Sequence, residues 1–381
     1  MSASEGRGSS SPRPDPSVDG RWSGLLGRVQ VDRRLSRMAV LLVIAFAFFA
    51  VQNPQVFLSP INLQNIMVAS PEIGVLAVAM MLAMLTGGID LSLVAIANLS
   101  AITMSMTFTA IAASDPALAE QSAPLLVLLG AAVGLVCGAV NGILVSRVGI
   151  TPILATLGSM QVFNGMAIVW TGGSVLYGSP TALTAVGRST VAGVPMLFII
   201  FVVVAAAVAV LVNRTPVGLK IQLQGANPVA ARYSGVDSRS VLTRTYLLTG
   251  LLGGIAGVLF LTRNPTASAD YGASYVLLVI VIAVLGGTNP NGGFATVAGV
   301  VLATLTLQII ASGFTAIRLS SFEYAIAQGV ILIVVMISDQ VRWRRRGGRP
   351  PTGRVGAATA PTPSLETDHH DQHHPVSGGT P

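Results

Sequence analysis

The sequence predicts an all-α, polytopic membrane protein with about ten transmembrane helices, for three reasons. Apolar stretches of about 20 residues, enough to cross the hydrocarbon core, follow one another from residue 38 to residue 339. Hydrophobic residues make up 52% of the chain and charged residues only 10%. Stretches such as 197–212 are continuously apolar, whereas barrel strands alternate, so helices rather than a closed barrel are predicted to satisfy the backbone within lipid.

The spans are placed at the apolar stretches in chain order. The eighth, 271–287, is short for a full crossing and is expected to be tilted or broken. Residues 1–35 and 343–381 are rich in Ser, Pro, Gly and Thr, and they are predicted to be disordered cytoplasmic tails around a transmembrane domain at 36–342. The predicted spans are approximately 38–58, 63–85, 91–113, 124–146, 150–171, 194–213, 243–262, 271–287, 294–313 and 322–339.

The distribution of Lys and Arg predicts that both termini are cytoplasmic. Much of the net charge of +7 comes from arginine clusters beside the first and last spans, which marks a cytoplasmic face more often than a nucleic-acid site. With alternating spans, the excess of basic residues falls in the inner loops, as topology rules require. The inner loops then hold Arg147, Arg214, Lys220, Arg232, Arg239 and Arg244, and the outer loops hold only Arg188, Arg263 and Arg318.

The longest inner loop, about 214–242, contains the signals of a short helix. Asn227 is suited to the N-cap, Pro228 to the first helical position, and Gly235 to the end of the helix. A short amphipathic helix between Gly225 and Gly235 is either a docking site for a partner or a surface connector. The spacing alone does not decide between them.

Two glycine-rich turns are predicted at the cytoplasmic mouth. Gly87 and Gly88 let the backbone turn tightly, and Asp90 can cap the next helix. This turn is either a capped re-entry turn, which is the favoured interpretation, or a gate or partner contact. The second turn begins at Gly286 and Gly287 and is too rich in Gly and Asn to be helical throughout. It lacks the lysine of a phosphate-binding loop, so no nucleotide site is predicted.

Three polar residues within the spans are candidates to line a solute pathway. Glu72 follows Pro71, which removes a helix hydrogen bond, and an intramembrane carboxylate is a functional candidate by default. Its alternatives are a structural contact or a position in water near the outer surface. Gln161 and Asn164 carry amides that need partners when buried, although packing between helices is the common role of polar residues in such a span.

The sequence contains no recognisable catalytic or metal-binding constellation. All four His residues lie within 369–374, in the C-terminal tail. Such a cluster could bind a metal weakly, but incidental composition is the favoured interpretation in a disordered terminus. The single cysteine, Cys137, excludes a disulfide within one chain. A membrane-embedded enzyme is therefore not predicted, because candidate catalytic groups are lacking.

Five motifs are similar, in the same order, to those of ribose-type sugar ABC-transporter permeases, over roughly residues 40–340. Two positions depart from the common pattern: residues 93–95 read LVA where many members have VGS, and residues 275–278 lack an acidic stretch. These variants look closer to the branch that handles rhamnose-like sugars or autoinducer-2. The motifs are TGGIDLS at 86–92, ATLG at 155–158, TGG at 171–173, GANPVAARYSG at 225–235 and LGGT at 285–288.

The resemblance implies a plasma (inner) membrane permease subunit of an ATP-driven importer for a monosaccharide (ribose, xylose or a rhamnose-like sugar) or autoinducer-2. The implied partners are an ABC ATPase, an extracytoplasmic sugar-binding protein and a second permease copy or paralogue. ATP and Mg²⁺ would bind the ATPase, so no cofactor is expected in this chain. The alternative is a self-contained secondary transporter or channel, for which Glu72 is the only suitable ionisable residue in the spans. The implied coupling loop comprises Gly225, Ala226, Asn227, Pro228, Ala230, Ala231, Arg232, Tyr233, Ser234 and Gly235.

Overall fold

A computed structural model of the chain describes residues 33–320 and, beyond them, residues 323, 326, 329, 330 and 333. Most of the predicted tenth span, most of the predicted N-terminal tail and all of the predicted C-terminal tail lie outside these residues. Within the described part, fourteen α-helices follow one another in chain order. They are α1 (Arg33–Gln52), α2 (Pro54–Phe57), α3 (Pro60–Leu85), α4 (Leu93–Ser114), α5 (Pro116–Gln121), α6 (Ala123–Ile143), α7 (Pro152–Thr171), α8 (Thr181–Arg188), α9 (Met196–Arg214), α10 (Pro216–Ala226), α11 (Pro228–Tyr233), α12 (Ser238–Arg263), α13 (Tyr275–Leu285) and α14 (Val297–Ala316).

Eight of the described helices are long and apolar enough to cross a membrane, which confirms an all-α polytopic membrane protein. These eight are α1, α3, α4, α6, α7, α9, α12 and α14, with α6 extended by a π-helical turn at Leu144–Val148. The predicted eighth span corresponds to α13, an apolar helix of only 11 residues. Strand structure is limited here to two short antiparallel pairs. They are β1 (Leu176–Tyr177) with β4 (Thr266–Ala267), and β2 (Thr190–Val191) with β3 (Val194–Pro195).

Proline and side-chain caps set several of the helix starts. Ser59 and Asp115 each accept a hydrogen bond from a backbone N–H of the first turn, and each is followed by a proline at the first helical position. Asn227 does the same for α11, where its Oδ1 accepts from the N–H groups of Val229 and Ala230 at 3.1 and 3.0 Å. The short helix predicted in the inner loop is therefore present with its predicted cap.

The centre of the bundle consists of α3 and α12. Every residue of α3 from 70 to 85 is buried, because α4, α9, α12, α13 and α14 all pack against this helix. The contact between α6 and α12 is made by backbone. A Cβ atom on Gly134 of α6 would lie 2.7 Å from the Cα of Gly254 of α12. Such close approach through small residues is the usual way in which helices associate within lipid.

Candidate functional site

The loop between α9 and α12 presents α11 to the outside of the described chain. Within the predicted coupling loop, only Gly225 and Ala231 are buried. Two large side chains of α11 point outward, Val229 with 64% and Tyr233 with 90% of its surface exposed. An exposed aromatic ring beside an exposed aliphatic side chain on a capped helix is a suitable surface for a protein partner.

Asp90 lies in the turn between α3 and α4, and it is fully buried. Its Oδ1 accepts hydrogen bonds from the backbone N–H and the hydroxyl of Ser92, at 3.1 and 2.6 Å. Its Oδ2 lies 2.9 Å from the hydroxyl of Thr249 on α12. The amide of Asn141 on α6 donates to the Ser92 hydroxyl at 2.7 Å. The turn therefore binds α12 through Asp90 and α6 through Ser92.

The structure corrects the predicted capping role of Asp90. The N-cap of α4 is Ser92, and Asp90 receives its hydrogen bonds from Ser92 rather than from the first helical turn. Gly88 is buried, and a Cβ atom there would lie 2.7 Å from the Tyr246 hydroxyl. The hydroxyl of Thr156 on α7 accepts from the Leu91 N–H at 3.1 Å. The turn is thus enclosed by α6, α7 and α12.

The numbers of donor hydrogens and acceptor atoms around Asp90 favour a neutral carboxylic acid over a carboxylate. The Thr249 hydroxyl has one hydrogen but two acceptors within reach, Asp90 Oδ2 and the Tyr246 carbonyl at 3.1 Å. A proton on Oδ2 resolves this, because Asp90 then donates to Thr249 and Thr249 donates to the carbonyl. Burial raises the pKa of Asp90, and the described residues offer it no cationic partner.

Glu72 lies within α3 and is also fully buried. Its Oε2 accepts from Arg263 Nη1 at 2.8 Å, and the Tyr271 hydroxyl lies 3.2 and 3.1 Å from Oε1 and Oε2. Asn264 donates to the same tyrosine oxygen at 2.9 Å. Asn98 of α4 holds the segment that precedes α13 by donating to the carbonyls of Ala269 and Tyr271, at 2.8 and 2.9 Å. Glu72 thus fixes the end of α12 and the approach to α13 against α3.

The other two pathway candidates lie on the outer surface of α7. Gln161 is exposed and Asn164 is half-buried in the single chain. Glu72 is not brought together with them by any hydrogen bond that involves its carboxylate. The exposed large side chains of α9, such as Val203 and Val210, are apolar. The exposed amide of Gln161 therefore distinguishes the surface of α7 from that of α9.

The glycines of the two predicted turns occupy positions that side chains would not fit. Gly87 and Gly287 have φ of +84° and +90°, where residues with a Cβ atom are strained. A Cβ atom on Gly286 would lie 2.7 Å from the Cα of Val300 on α14. These turns are therefore close contacts between backbone segments.

Sequence reasoning missed Arg263, Tyr271, Asn141 and Thr249. Arg263 and Tyr271 flank a predicted outer loop, and the sequence carries no signal that they meet a glutamate 191 residues away from Arg263. Asn141 and Thr249 lie within apolar helices, where single polar residues usually serve in packing. The one signal that could have indicated them is that Asp90, if buried, needs hydrogen-bond partners.

The comparisons with known proteins agree with this architecture. A family model described as the branched-chain amino acid transport system / permease component matches residues 62–337. The ribose import permease protein RbsC of Bacillus subtilis (strain 168) is 32% identical over 302 residues, which cover 78% of this chain and 90% of that protein. The autoinducer 2 import system permease protein LsrD of Yersinia enterocolitica is 30% identical over 317 residues, with 81% and 92% covered. The LsrD protein of Salmonella typhimurium (strain LT2) is 28% identical over the same length. No solved structure gives a significant match.

The eight long apolar helices of the described residues define a multi-pass membrane protein. The chain belongs to the family of permease components that this family model describes. The predicted resemblance to ribose-type sugar permeases is confirmed by the relatives, which include both a ribose and an autoinducer-2 permease.

Proposed function

We propose that the chain is the plasma-membrane permease subunit of an ATP-driven ABC importer for a monosaccharide, ribose-like or rhamnose-like, or for autoinducer-2. The observation that carries the proposal is α11, a capped and exposed helix at the motif that resembles the coupling helix of sugar permeases. The similarity to ribose and autoinducer-2 import permeases over most of the chain supports the same class of solute.

The ATPase docks on α11 in this proposal. Tyr233 and Val229 supply exposed surface for a groove on the partner, and Arg232 adds a positive charge beside them. ATP and Mg²⁺ bind the ATPase, and this chain contributes no catalytic group. The chain converts the movement of its partner into a change of the solute pathway.

The proposed topology has ten spans with both termini in the cytoplasm. Arg147 and Arg214 end two spans on the side of α11, which is the side of the ATPase. Arg188 ends α8 and Arg263 ends α12, on the side of the membrane opposite to α11 in this topology. The excess of basic residues on the side of α11 supports this orientation. The tails at 1–35 and 343–381 are cytoplasmic in this arrangement.

A second permease copy, or a paralogue, covers α7 in this proposal. The exposed amide of Gln161 would cost free energy against lipid, because lipid offers it no hydrogen-bond partner. A pathway between two permease chains gives Gln161 and Asn164 both water and solute hydroxyls as partners. An extracytoplasmic sugar-binding protein delivers the solute to the outer side of this pathway.

Glu72 is the third pathway candidate, with a different role. Its carboxylate faces Arg263 and Tyr271, so a solute reaches it only after both side chains have moved away from the carboxylate. A self-contained secondary transporter is less well supported. Among the described residues, the two buried carboxyl groups, Glu72 and Asp90, are both occupied by hydrogen bonds within the protein.

The test is purification of the tagged chain from its native membrane in detergent, followed by mass spectrometry of the proteins that accompany it. We expect an ABC ATPase with the wild-type chain, and its loss when residues 226–234 are replaced by a Gly-Ser linker. Replacement of the outer hairpin 190–195 by such a linker is the control and should leave the ATPase bound. Recovery of the chain alone, under conditions that preserve a known transporter complex, would refute the proposal.

A further inference from the structure

Three backbone segments meet directly at the base of α11, and the meeting point is Gly225. This glycine is buried near the end of α10. A Cβ atom placed on it would collide with the carbonyl oxygen of Leu85, the last residue of α3, and would lie 2.6 Å from the backbone nitrogen of Gly293. No side chain separates α10 from α3 or from the loop that follows α13.

The loop after α13 completes the junction. The N–H of Gly293 donates to the carbonyl of Leu85 at 3.0 Å. A Cβ atom on Gly292 would lie 2.8 Å from both the Gly225 oxygen and the Gly87 nitrogen. Gly292 and Gly293 have φ of +92° and +84°, which glycine adopts without strain. We name this contact of Leu85, Gly225, Gly292 and Gly293 the backbone junction.

The backbone junction is connected to α11 without flexible chain. Ala226 ends α10, and the next residue, Asn227, is the N-cap of α11 and holds two of its backbone N–H groups. Gln224 of α10 accepts a hydrogen bond from the Ser238 hydroxyl at the start of α12, at 2.8 Å. A displacement of α11 therefore acts on Gly225 rather than being absorbed by a loop.

The backbone junction is also connected to the membrane helices on its other side. Leu85 ends α3, which is surrounded by other helices and continues directly into the buried turn of Asp90. The loop at 286–293 begins where Gly286 packs against α14, and the Thr296 hydroxyl donates to the Gly286 carbonyl at 3.2 Å. Thus α3 and α13 end, and α14 begins, beside the contact that α10 makes.

We infer that the backbone junction is the mechanical link through which α11 moves α3 and the pair α13 and α14, with Gly225 as its positioning residue. The inference rests on the proposed function, in which α11 docks on an ATPase. Closely packed segments transmit a displacement, because a packed core shifts between discrete arrangements rather than deforming continuously. A gap between α10 and α3 would break this transmission while α11 still bound its partner.

The test is Gly225→Ala in the intact complex, with Gly329→Ala as the control that adds the same methyl group where no atom of the described residues lies within 4 Å. We expect the ATPase to copurify and to hydrolyse ATP, while ATP-dependent uptake falls about tenfold or more, because overpacking separates the segments. The control should keep both activities. Uptake at the wild-type rate by a Gly225→Ala complex would overturn the inference and leave the proposed function intact. Absence of an ATPase from the wild-type preparation would overturn both.

A second measurement uses the unaltered complex, so that it does not depend on the folding of a variant. Amide hydrogen exchange is followed with and without ATP and vanadate, on peptides that cover 225–235, 85–92 and 289–293. We expect nucleotide to change exchange in all three together, whereas the outer peptide at 190–195 serves as the reference. A change in 225–235 without a change in the other two would overturn the inference.

Discussion

Substitution of Glu72 by Ala tests the buried ion pair that ties α3 to the end of α12. The carboxylate is fully buried, lies 2.8 Å from Arg263 and receives the Tyr271 hydroxyl as well. Removing one partner of a buried ion pair costs about 3–5 kcal/mol, because the other charge is left without compensation. The Arg263 side chain is 31% exposed, so we expect the lower end of this range, about 3 kcal/mol.

Glu72→Gln separates charge from shape. The glutamine keeps the size and one acceptor oxygen, so a charge-assisted hydrogen bond becomes a neutral one, and the free energy of unfolding should fall by about 1–2 kcal/mol. Arg263→Gln removes the opposite charge. Because the two residues are in contact, their effects should be non-additive, with a coupling free energy of about 1–3 kcal/mol in the double-mutant cycle.

The assay is unfolding of the purified chain by SDS in mixed micelles, followed by circular dichroism, for Glu72→Ala and for the four members of the cycle. Asp270→Asn is the control, because this exposed carboxylate lies nearby in sequence and should change the free energy of unfolding by less than about 0.5 kcal/mol. Additive effects of Glu72→Gln and Arg263→Gln would refute the pair as a stabilising contact. Uptake by the reconstituted transporter is measured on the same variants, and normal uptake by Glu72→Gln would remove Glu72 from the pathway.

Substitutions at three other positions test separate parts of the structure. The free energy of unfolding of Asp90→Asn should lie within about 1 kcal/mol of the wild-type value, because an amide can donate to Thr249 as the neutral acid does. Asp90→Ala should lose about 2–3 kcal/mol in the same assay. Equal losses would contradict a neutral Asp90. Because burial raises the pKa of Asp90, wild-type stability should decline as pH rises from the ordinary carboxyl range toward the raised pKa, and Asp90→Asn should remove this decline. Tyr233→Ala should weaken ATPase binding about tenfold, measured by titration of the complex, and unchanged affinity would remove Tyr233 from the contact. Gly134→Leu should prevent folding of the chain, because α6 and α12 touch through backbone. The loss of folding is measured as loss of the monodisperse peak in size-exclusion chromatography in detergent. An unchanged peak would contradict that contact.

The sequence was sufficient to predict the eight long apolar helices and α11, because apolar stretches and capping residues act locally. Asn227, Pro228 and Gly235 lie within a few residues of the backbone groups that they affect. The partners of Glu72 and Asp90 were not predictable in this way. Asp90 meets Thr249 across 159 residues of chain, and nothing in the composition of α12 distinguishes that threonine from its neighbours.

The backbone junction was outside the reach of sequence reasoning for a related reason. In the sequence, Gly225 marks the boundary of a short helix, which is a local property. Close contact between α10, the end of α3 and the loop after α13 depends on how the helices pack, and a glycine that permits such contact looks the same as one that permits a turn. Only the positions of the segments separate the two roles.

Coupling of uptake to ATP is the central claim, and transport by the reconstituted complex measures it most directly. The purified permease, its copurified ATPase and the binding protein are placed in proteoliposomes, and radiolabelled ribose, rhamnose and autoinducer-2 are offered in turn. We predict that one of them accumulates only when ATP is supplied on the side of α11 and the binding protein on the other side. Accumulation by the permease alone, driven by an ion gradient and indifferent to ATP, would contradict the account.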